Sequence, residues 1–556
     1  MLFIPARYVS AIVISTCNLP SCEVLARTDA GWVCGVKKLD SSGAQYASFR
    51  GVPYAEQPLG ELRFMELQPV ISWTGIYNAT VEGPVCPYHS IFFGPLMNPE
   101  SVSEACIFAN IHVPLASLPK PDLDIQQRPK GLPIVVYIHG GGWIDGSGDA
   151  DVNGPEYLVS KGVIVITFNY RLDVFGFLSL NTAKVPGNNG LRDMVTLLRW
   201  VSRNAGSFGG DPNEVTLAGN SAGAASAHLL SLSPAADGLF KRLWLMSGTG
   251  IPSFYTTSPL YAQIAARKFL ASLGLNSTDH DEAHDQLVQM PLERIMKASA
   301  DLLAQYGVIT FLPVEEPSFP NVTRILEDHP EKLIAEGVGK NITTVIGFTS
   351  VECETHAPRL KTVDIVTRYT EYPIIGMPID PLFRLPLNVT TAMSEKMRKR
   401  YIGTDPTLEK YVKLCSETYF VYPALKLARM RAASDGAPLY LYKYAYNAEN
   451  SVFKKTFNLT YDGAGHSEDM TSIFKVNSVS LPSSTRDANM RDWMTDFFVN
   501  FVKYKTPVPG QASLFWPAER AGTLEYQSIN DASYSYVQLS TYDQEMIHFF
   551  DTLADV

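Results

Sequence analysis

This sequence has few cysteines, no excess of positive charge and no long hydrophobic run. Seven cysteines in 556 residues are too few for a domain held together by a disulfide framework. Acidic residues outnumber basic ones by 56 to 46, which gives a net charge of −10 and argues against a nucleic-acid partner. No apolar run approaches the roughly 18 residues that a transmembrane helix needs. No linker rich in glycine, serine or proline divides the chain, so a single large domain is expected.

Motifs for metals and nucleotide cofactors are missing as well. His280 and His284 have the i, i+4 spacing of a zinc-binding helix, but Asp281 stands where a metalloprotease carries glutamate. No third ligand accompanies the pair, so a solvated helix face is the favoured interpretation. The sequence contains no P-loop and no dinucleotide fingerprint after a strand. We therefore predict neither a metal site nor a cofactor.

The first 26 residues are typical of a secretory signal peptide. The mostly apolar stretch from Tyr8 to Thr16 follows a segment with one positive charge, and Val24 to Ala26 offers small residues for cleavage. An N-terminal strand is the alternative. We expect residues 27–556 to form one domain. Six N-x-S/T sequons are candidate glycosylation sites of a secreted chain, namely Asn78, Asn276, Asn321, Asn341, Asn388 and Asn458.

The few cysteines offer one candidate disulfide. Cys86 and Cys106 would close a short loop if they were paired. We interpret the other five as buried thiols or as part of the leader; they are Cys17, Cys22, Cys34, Cys353 and Cys415.

Short apolar runs alternate with amphipathic segments along the chain. Leu132 to Ile138, Val163 to Phe168 and Leu243 to Met246 are typical of buried parallel strands. From Gly190 onward, apolar residues at helical spacing predict a helix. This alternation predicts an α/β fold with a large, mostly parallel central sheet flanked by helices. Two helical regions, 259–339 and 357–433, are expected to be insertions beside this sheet.

A G-x-S-x-G pattern lies where one predicted strand meets a helix. The strand begins at Val215, and the pattern runs from Gly219 to Gly223 with Ser221 at its centre. A strand–turn–helix with this pattern is typical of a nucleophile elbow, which holds the serine out at the tip of a strained turn. A helix start capped by the serine is the alternative interpretation.

The partners that a serine nucleophile needs follow in the order found in α/β hydrolases. A serine requires a base and an acid that orients the base, and Glu352 and His466 stand just beyond predicted strands. Glu354 is the rival acid. A glycine run that follows a buried strand, with the residue after Ser221, can supply backbone N–H groups to an oxyanion; the predicted donors are Gly141, Gly142 and Ala222.

Together these motifs resemble those of the type-B carboxylesterases, the cholinesterase-like branch of the α/β hydrolases. The similarity covers about residues 27–556. The resemblance implies an α/β-hydrolase fold, hydrolysis of an ester through an acyl-enzyme on Ser221, and a disulfide between Cys86 and Cys106. Further matching motifs are Phe49–Ala55, His139–Trp143, Asn169–Leu172, Phe208–Pro212 and Gly463–His466.

Within that family the chain is similar to the insect juvenile hormone esterases of the lepidopteran kind, in Gly190–Leu198, Met246–Thr249 and Gly347–Glu354. This resemblance implies an enzyme secreted into an extracellular fluid such as haemolymph, and we expect a monomer. Its substrate would be a small hydrophobic ester such as juvenile hormone methyl ester. Two positions differ from the pattern of these relatives. Asn220 replaces the glutamine that is usual in these esterases, and Ala105 stands where aspartate is common in the family. Three alternatives remain. The first is a general insect carboxylesterase for odorant, pheromone or dietary esters. The others are a sequestering esterase that turns over slowly and a non-catalytic adhesion protein.

Overall fold

The apolar runs of the sequence form the strands of one mixed sheet. The computed structural model describes residues 22–120, 131–251, 256–275, 279–307, 309–482, 484–510, 516–519, 524–530 and 534–555. The strands within these residues are β1 (Val24–Arg27), β2 (Trp32–Leu39), β3 (Gln45–Pro53), β4 (Ile76–Asn78), β5 (Phe108–Pro114), β6 (Leu132–Ile138), β7 (Ile164–Phe168), β8 (Gly210–Asn220), β9 (Arg242–Met246), β10 (Thr343–Thr349), β11 (Leu439–Tyr444), β12 (Glu525–Ile529) and β13 (Tyr534–Gln538).

The centre of this sheet is parallel and its two ends are antiparallel. The strand order is β1-β2-β3-β5-β7-β6-β8-β9-β10-β11-β12-β13, with β4 beside β2. The pairings from β7 to β12 are parallel, whereas β12 pairs with β13, and β5 with β7, in antiparallel fashion. The prediction of a large, mostly parallel central sheet is confirmed. The three apolar runs predicted as buried strands form β6, β7 and β9.

Helices cover both faces and fill the two predicted insertions. They are α1 (Glu156–Val159), α2 (Asp173–Phe177), α3 (Asn189–Asn204), α4 (Ala222–Ser231), α5 (Pro259–Ser272), α6 (His280–Val288), α7 (Leu292–Tyr306), α8 (Pro330–Ala335), α9 (Ala357–Thr362), α10 (Ile365–Glu371), α11 (Ile379–Arg384), α12 (Leu387–Tyr401), α13 (Leu408–Ser416), α14 (Tyr422–Ala432), α15 (Val452–Phe457), α16 (Thr485–Tyr504) and α17 (Thr541–Asp551). None of these helices is both long and apolar enough to span a bilayer.

Strand β6 shows why the central strands are apolar throughout. Ile134, Val136 and Ile138 belong to a core beneath α3 and α4, whereas Val135 and Tyr137 belong to a second core beneath α16. Successive side chains of a strand point to opposite faces. Because helices bury both faces, every position of the strand must be apolar. The continuous run in the sequence is therefore the direct result of a sheet covered on both sides.

The pairing of the cysteines differs from one of the expectations from the sequence. The described residues contain three disulfides, which are Cys22–Cys34, Cys86–Cys106 and Cys353–Cys415. The second is the predicted bridge. The interpretation of Cys22, Cys34, Cys353 and Cys415 as thiols or leader was wrong, because the fold brings each pair together, with Cα–Cα distances of 5.7 and 6.0 Å. Cys17 lies outside the described residues.

The first described strand spans the position predicted as the start of the domain. Strand β1 contains Val24 and Ala26 and pairs along its length with β2. Alternate residues of β1 are buried, so the small residues that resemble a cleavage site pack in the sheet. The boundary predicted after residue 26 therefore falls inside a strand, and the domain includes Cys22. Most of the predicted leader lies outside the described residues.

A buried histidine at the sheet's antiparallel end makes stability depend on pH. His112, on β5, is buried, and its Nδ1 lies 3.1 Å from the Ser48 hydroxyl. Burial, together with the nearby charges of Lys38 and Arg50, lowers the pKa of His112 to about 3 from an ordinary value of 6.5. The folded protein thus keeps this imidazole neutral in mild acid, whereas the unfolded chain protonates it.

We expect His112→Gln to reduce the loss of stability in acid. For a lowered folded-state pKa, the stabilising contribution is complete above the unfolded pKa of 6.5 and is lost as the pH falls. At about pH 4.5 that loss amounts to about 3 kcal/mol for the wild type. Urea unfolding at pH 7 and about pH 4.5 measures it. The matched control is the exposed His548→Gln; equal pH dependence in both variants would contradict the prediction.

Candidate active site

The G-x-S-x-G segment forms a strained turn between β8 and α4. Ser221 has φ 57° and ψ −125°, a conformation that costs energy for a residue with a side chain. A Cβ on Gly219 would lie 2.4 Å from the carbonyl carbon of Gly223, and one on Gly223 would lie 2.1 Å from the Ile138 carbonyl oxygen. Only glycine fits at both positions. The backbone N–H of Ser221 donates to the Met246 carbonyl at 2.8 Å, which anchors the turn to β9.

The two candidate partners of the serine meet beyond β10 and β11. The Nδ1 atom of His466 lies 2.6 Å from Oε2 of Glu352, and the side chains are 4% and 0% exposed. The second carboxylate oxygen of Glu352 accepts a hydrogen bond from the Thr349 N–H at 2.7 Å. The His466 N–H donates to the Glu352 carbonyl at 3.0 Å. The rival acid, Glu354, makes no hydrogen bond to His466, so Glu352 is the carboxylate that orients this ring.

Ser221 and His466 line the same cavity. The Nε2 atom of His466 is buried and has no hydrogen-bond partner in the described part of the chain. Nδ1 is held by Glu352, so Nε2 is the atom left for proton transfer. Such contacts are often long before a substrate binds and shorten in the complex. The arrangement brings a hydroxyl, a base and an acid together in the predicted order.

Backbone donors lie beside the serine. Gly141 and Gly142 follow β6 with φ of 105° and 61°, where glycine is favoured. A Cβ on Gly141 would lie 2.2 Å from the Asp145 carbonyl oxygen, and one on Gly142 would lie 2.5 Å from Ile309. No described residue accepts a hydrogen bond from the N–H groups of Gly141, Gly142 or Ala222. All three predicted donors are therefore free to meet charge on a ligand oxygen.

A buried carboxylate fixes the shape of the glycine loop. Asp145 is fully buried, and burial raises its pKa. Its Oδ2 atom accepts three backbone N–H bonds at 2.7–3.2 Å, and its Oδ1 accepts the Gly146 N–H at 2.8 Å. The three donors are Ile91, Phe92 and Phe93. The loop is thus held rigid by hydrogen bonds, as a preorganised anion site requires.

The cavity walls come mainly from the helical insertions and are apolar. Among the apolar wall residues, Ile309 follows α7, and five others lie on or between α9 and α11: Leu360, Val363, Ile375, Met377 and Ile379. Aromatic wall residues come from the loop before β5, from α13 and from α15: Phe92, Tyr411 and Phe453. A cavity of this composition binds hydrophobic ligands. Hydrolytic groups at its base and apolar walls above them suit a hydrophobic ester.

Aromatic residues that the sequence analysis missed enclose His466. Phe420 and His356 lie with ring centroids 4.5 and 5.0 Å from that of His466. Burial and the neighbouring His466 lower the pKa of His356 well below its ordinary value, so it packs as a neutral ring. Phe420 belongs to a π-helical turn, Glu417–Val421, a feature frequent at functional sites. No sequence motif marks either residue.

Asn220, the departure noted in the sequence, connects the elbow to the loop of His466. The Ser467 hydroxyl donates to Oδ1 of Asn220 at 2.7 Å, and Nδ2 of Asn220 lies 3.4 Å from the Met246 carbonyl. Both Asn220 and Ser467 are buried. Because Ser467 directly follows His466 and Asn220 directly precedes Ser221, this hydrogen bond ties the loop of the imidazole to the elbow.

Removing this link should slow turnover. We expect Ser467→Ala to lower kcat about tenfold with little change in KM, because a buried hydrogen bond that positions the base is lost. Asn220→Leu should have the same effect. In the double variant the two losses should not add, since both remove one interaction. Steady-state kinetics on the three variants measures this, and fully additive effects would show that the two residues act separately.

The two histidines with metal-like spacing lie close to backbone carbonyls. In α6, Nδ1 of His280 lies 2.5 Å from the Leu180 carbonyl, and Nε2 of His284 lies 3.3 Å from the Arg63 carbonyl. Nowhere in the described residues do three or more His, Cys, Asp or Glu side chains cluster as metal ligands. The pair therefore stabilises the packing of α6 against the loops of the domain.

The site combines a strained serine after β8, a His–Glu pair beyond β10 and β11, and a glycine loop after β6, on the other side of β8. Together these features define a serine hydrolase of the α/β-hydrolase fold. Sequence comparison agrees. The Carboxylesterase family matches residues 23–552, and the chain belongs to this family: it is a carboxylic ester hydrolase.

Individual relatives match over nearly the whole chain. The juvenile hormone esterase of Heliothis virescens is 48% identical over 539 residues, which cover 96% of this chain and 94% of the relative. A carboxylic ester hydrolase of Bombus ignitus is 30% identical, with 95% and 93% covered. The crystal structure of juvenile hormone esterase from Manduca sexta, with OTFP covalently attached, superimposes with a TM-score of 0.92 at 48% identity and covers 96% of this chain and 100% of that one.

Proposed function

We propose that this protein is a secreted juvenile hormone esterase that converts juvenile hormone methyl ester into its free acid and methanol. The observation that carries the proposal is the apolar cavity around Ser221 in a chain 48% identical to the Heliothis virescens esterase. The cavity accounts for a long hydrophobic chain on the substrate. The serine, the imidazole and the glycine amides at its base account for cleavage of a carboxylic ester.

In the proposed reaction Ser221 is the nucleophile. Its Oγ attacks the ester carbonyl while Nε2 of His466 takes the hydroxyl proton, and Glu352 holds Nδ1–H and stabilises the imidazolium. His466 then gives the proton to the methoxide, which leaves as methanol. Water attacks the acyl-enzyme with the same base, and the free acid departs. The charge on the carbonyl oxygen is met by the N–H groups of Gly141, Gly142 and Ala222.

The proposal that the enzyme is secreted rests on its disulfides and its sequons. Disulfides persist in oxidising compartments, and three are present in the described residues. Five sequon asparagines are exposed: Asn78, Asn321, Asn341, Asn388 and Asn458. Asn276 lies outside the described residues. We propose a leader that ends before Cys22. Expression in insect cells, with N-terminal sequencing and mass analysis before and after deglycosylation, tests both parts.

The substrate is tested by comparing kcat/KM for juvenile hormone with that for hexyl acetate and p-nitrophenyl acetate. A preference for the hormone of 100-fold or more supports the proposal. A preference for acetates favours a general carboxylesterase for odorant, pheromone or dietary esters. A fluorophosphonate probe separates enzyme from adhesion protein, because only an activated serine is labelled. Single-turnover kinetics identifies an esterase that binds esters tightly but releases acid slowly.

A further inference from the structure

A guanidinium lines the apolar cavity. Arg359 lies on the short helix α9, three residues after His356, on the segment that also carries Glu352. Its Cζ atom lies 4.9 Å from the centre of the Phe92 ring. In the described part of the chain, Arg359 has no ion-pair partner and no hydrogen-bond acceptor. The guanidinium therefore presents N–H donors to a cavity whose walls are mainly hydrocarbon.

Two fully buried arginines of this protein have carboxylate partners, whereas the half-buried Arg359 has none in the described residues. Arg171 pairs with Asp193 at 2.6 Å, and Arg192 pairs with Glu316 at 2.8 Å. Burial lowers the pKa of Arg359 to about 10, and Asp145 partly offsets this shift. Burying a charged donor without an acceptor is unfavourable. Arg431, which is buried and has no carboxylate partner, still donates to the carbonyls of Lys340 and Ile342. Arg359 has neither kind of acceptor among the described residues, so its donors are available to a ligand in the cavity.

Phe92 fixes where that ligand group would lie. Its ring would come within 3.0 Å of a Cβ on Gly142, and its centroid is 5.2 Å from that of His356. Phe92 thus stands between the glycine loop and Arg359. Because Phe92 contacts both, the guanidinium lies within roughly 10 Å of Gly142. A substrate whose carbonyl occupies the glycine loop would reach Arg359 with an atom farther along its chain.

We propose that Arg359 binds an uncharged acceptor oxygen, an ether, epoxide or carbonyl, carried on the hydrophobic chain of the ester away from the cleaved bond. The inference rests on the proposed esterase function and adds a specificity-determining residue to it. Hydrogen bonds from a guanidinium are stronger than those between neutral groups, especially where water is excluded. A hydrocarbon chain in the cavity would displace water from the guanidinium without offering an acceptor, so the site discriminates between the two kinds of ester.

The test uses two methyl esters of equal chain length, one with an ether oxygen roughly 10 Å from the carbonyl and one with CH₂ in its place. The wild type should prefer the ether ester in kcat/KM by about 10- to 100-fold. Arg359→Met should abolish this preference and leave or raise kcat/KM for the alkyl ester. Lys361→Met is the matched control, because Lys361 is exposed on the same helix, and it should keep the preference.

Two results would overturn the inference: an unchanged preference in Arg359→Met, or an equal loss with both esters. Binding of the same two esters to Ser221→Ala, measured by calorimetry, gives the ratio without turnover. If neither ester is hydrolysed by the wild type but the ether ester binds more tightly in an Arg359-dependent way, the proposed function fails and the assignment of Arg359 stands. If both are hydrolysed and bound alike, the assignment fails and the proposed function stands.

Discussion

Ser221→Ala is expected to lower kcat by roughly 10⁴- to 10⁶-fold, with substrate binding largely retained. The change removes the one oxygen that can attack the carbonyl at the tip of the elbow. The backbone donors of the oxyanion loop remain, and they account for the activity that such variants keep above the uncatalysed rate. Alanine fits the site, because it only deletes the hydroxyl from a side chain that is 9% exposed.

The measurement combines turnover of p-nitrophenyl acetate and juvenile hormone with labelling by a fluorophosphonate. Both turnover and labelling should be lost together in Ser221→Ala. Ser233→Ala is the matched control, since this serine is also buried and its hydroxyl lacks a partner in the described residues. It should stay within about threefold of the wild type. Substantial turnover in Ser221→Ala would show that another group is the nucleophile.

The features that the sequence could predict are those set by local constraints. The roles of Gly219 and Gly223 can be predicted from the sequence because the turn leaves no room for a Cβ at either position. Strand β6 can be predicted because burial on both faces requires apolar residues along its whole length. Glu352 and His466 are readable because residues that follow parallel strands converge at one edge of the sheet. Each of these signals is contained within a few neighbouring residues.

The features that could not be predicted depend on contacts between distant segments. Cys353 and Cys415 are separated by 62 positions, and nothing in either local sequence specifies the pairing. Asn220 and Ser467 are 247 positions apart, so the reason for asparagine at the elbow emerges only in the folded protein. The boundary predicted at residue 26 falls inside β1. Small apolar residues suit both a cleavage site and a buried edge of a sheet, and local sequence does not distinguish them.

The acid of the proposed triad gives the second large effect. We expect Glu352→Gln to lower kcat about 10⁴-fold. Glu352 accepts from Nδ1 of His466 at 2.6 Å while its other oxygen is held by the Thr349 N–H. A glutamine can keep the Thr349 contact only by turning its NH₂ group toward Nδ1. That arrangement favours the tautomer with the proton on Nε2, which cannot accept the proton of Ser221.

The carboxylate also offsets the charge that His466 acquires during the attack, and a neutral amide in a site with 0% exposure cannot do so. The loss should therefore appear in kcat, and the rate of fluorophosphonate labelling should fall in parallel, because labelling needs the same base.

Glu354→Gln, on the same turn, should stay within about threefold of the wild type, since Glu354 does not contact His466. If Glu354→Gln lost more activity than Glu352→Gln, the acid would have to be reassigned. A loss in Glu352→Gln confined to KM would show that this carboxylate shapes the cavity and takes no part in proton transfer.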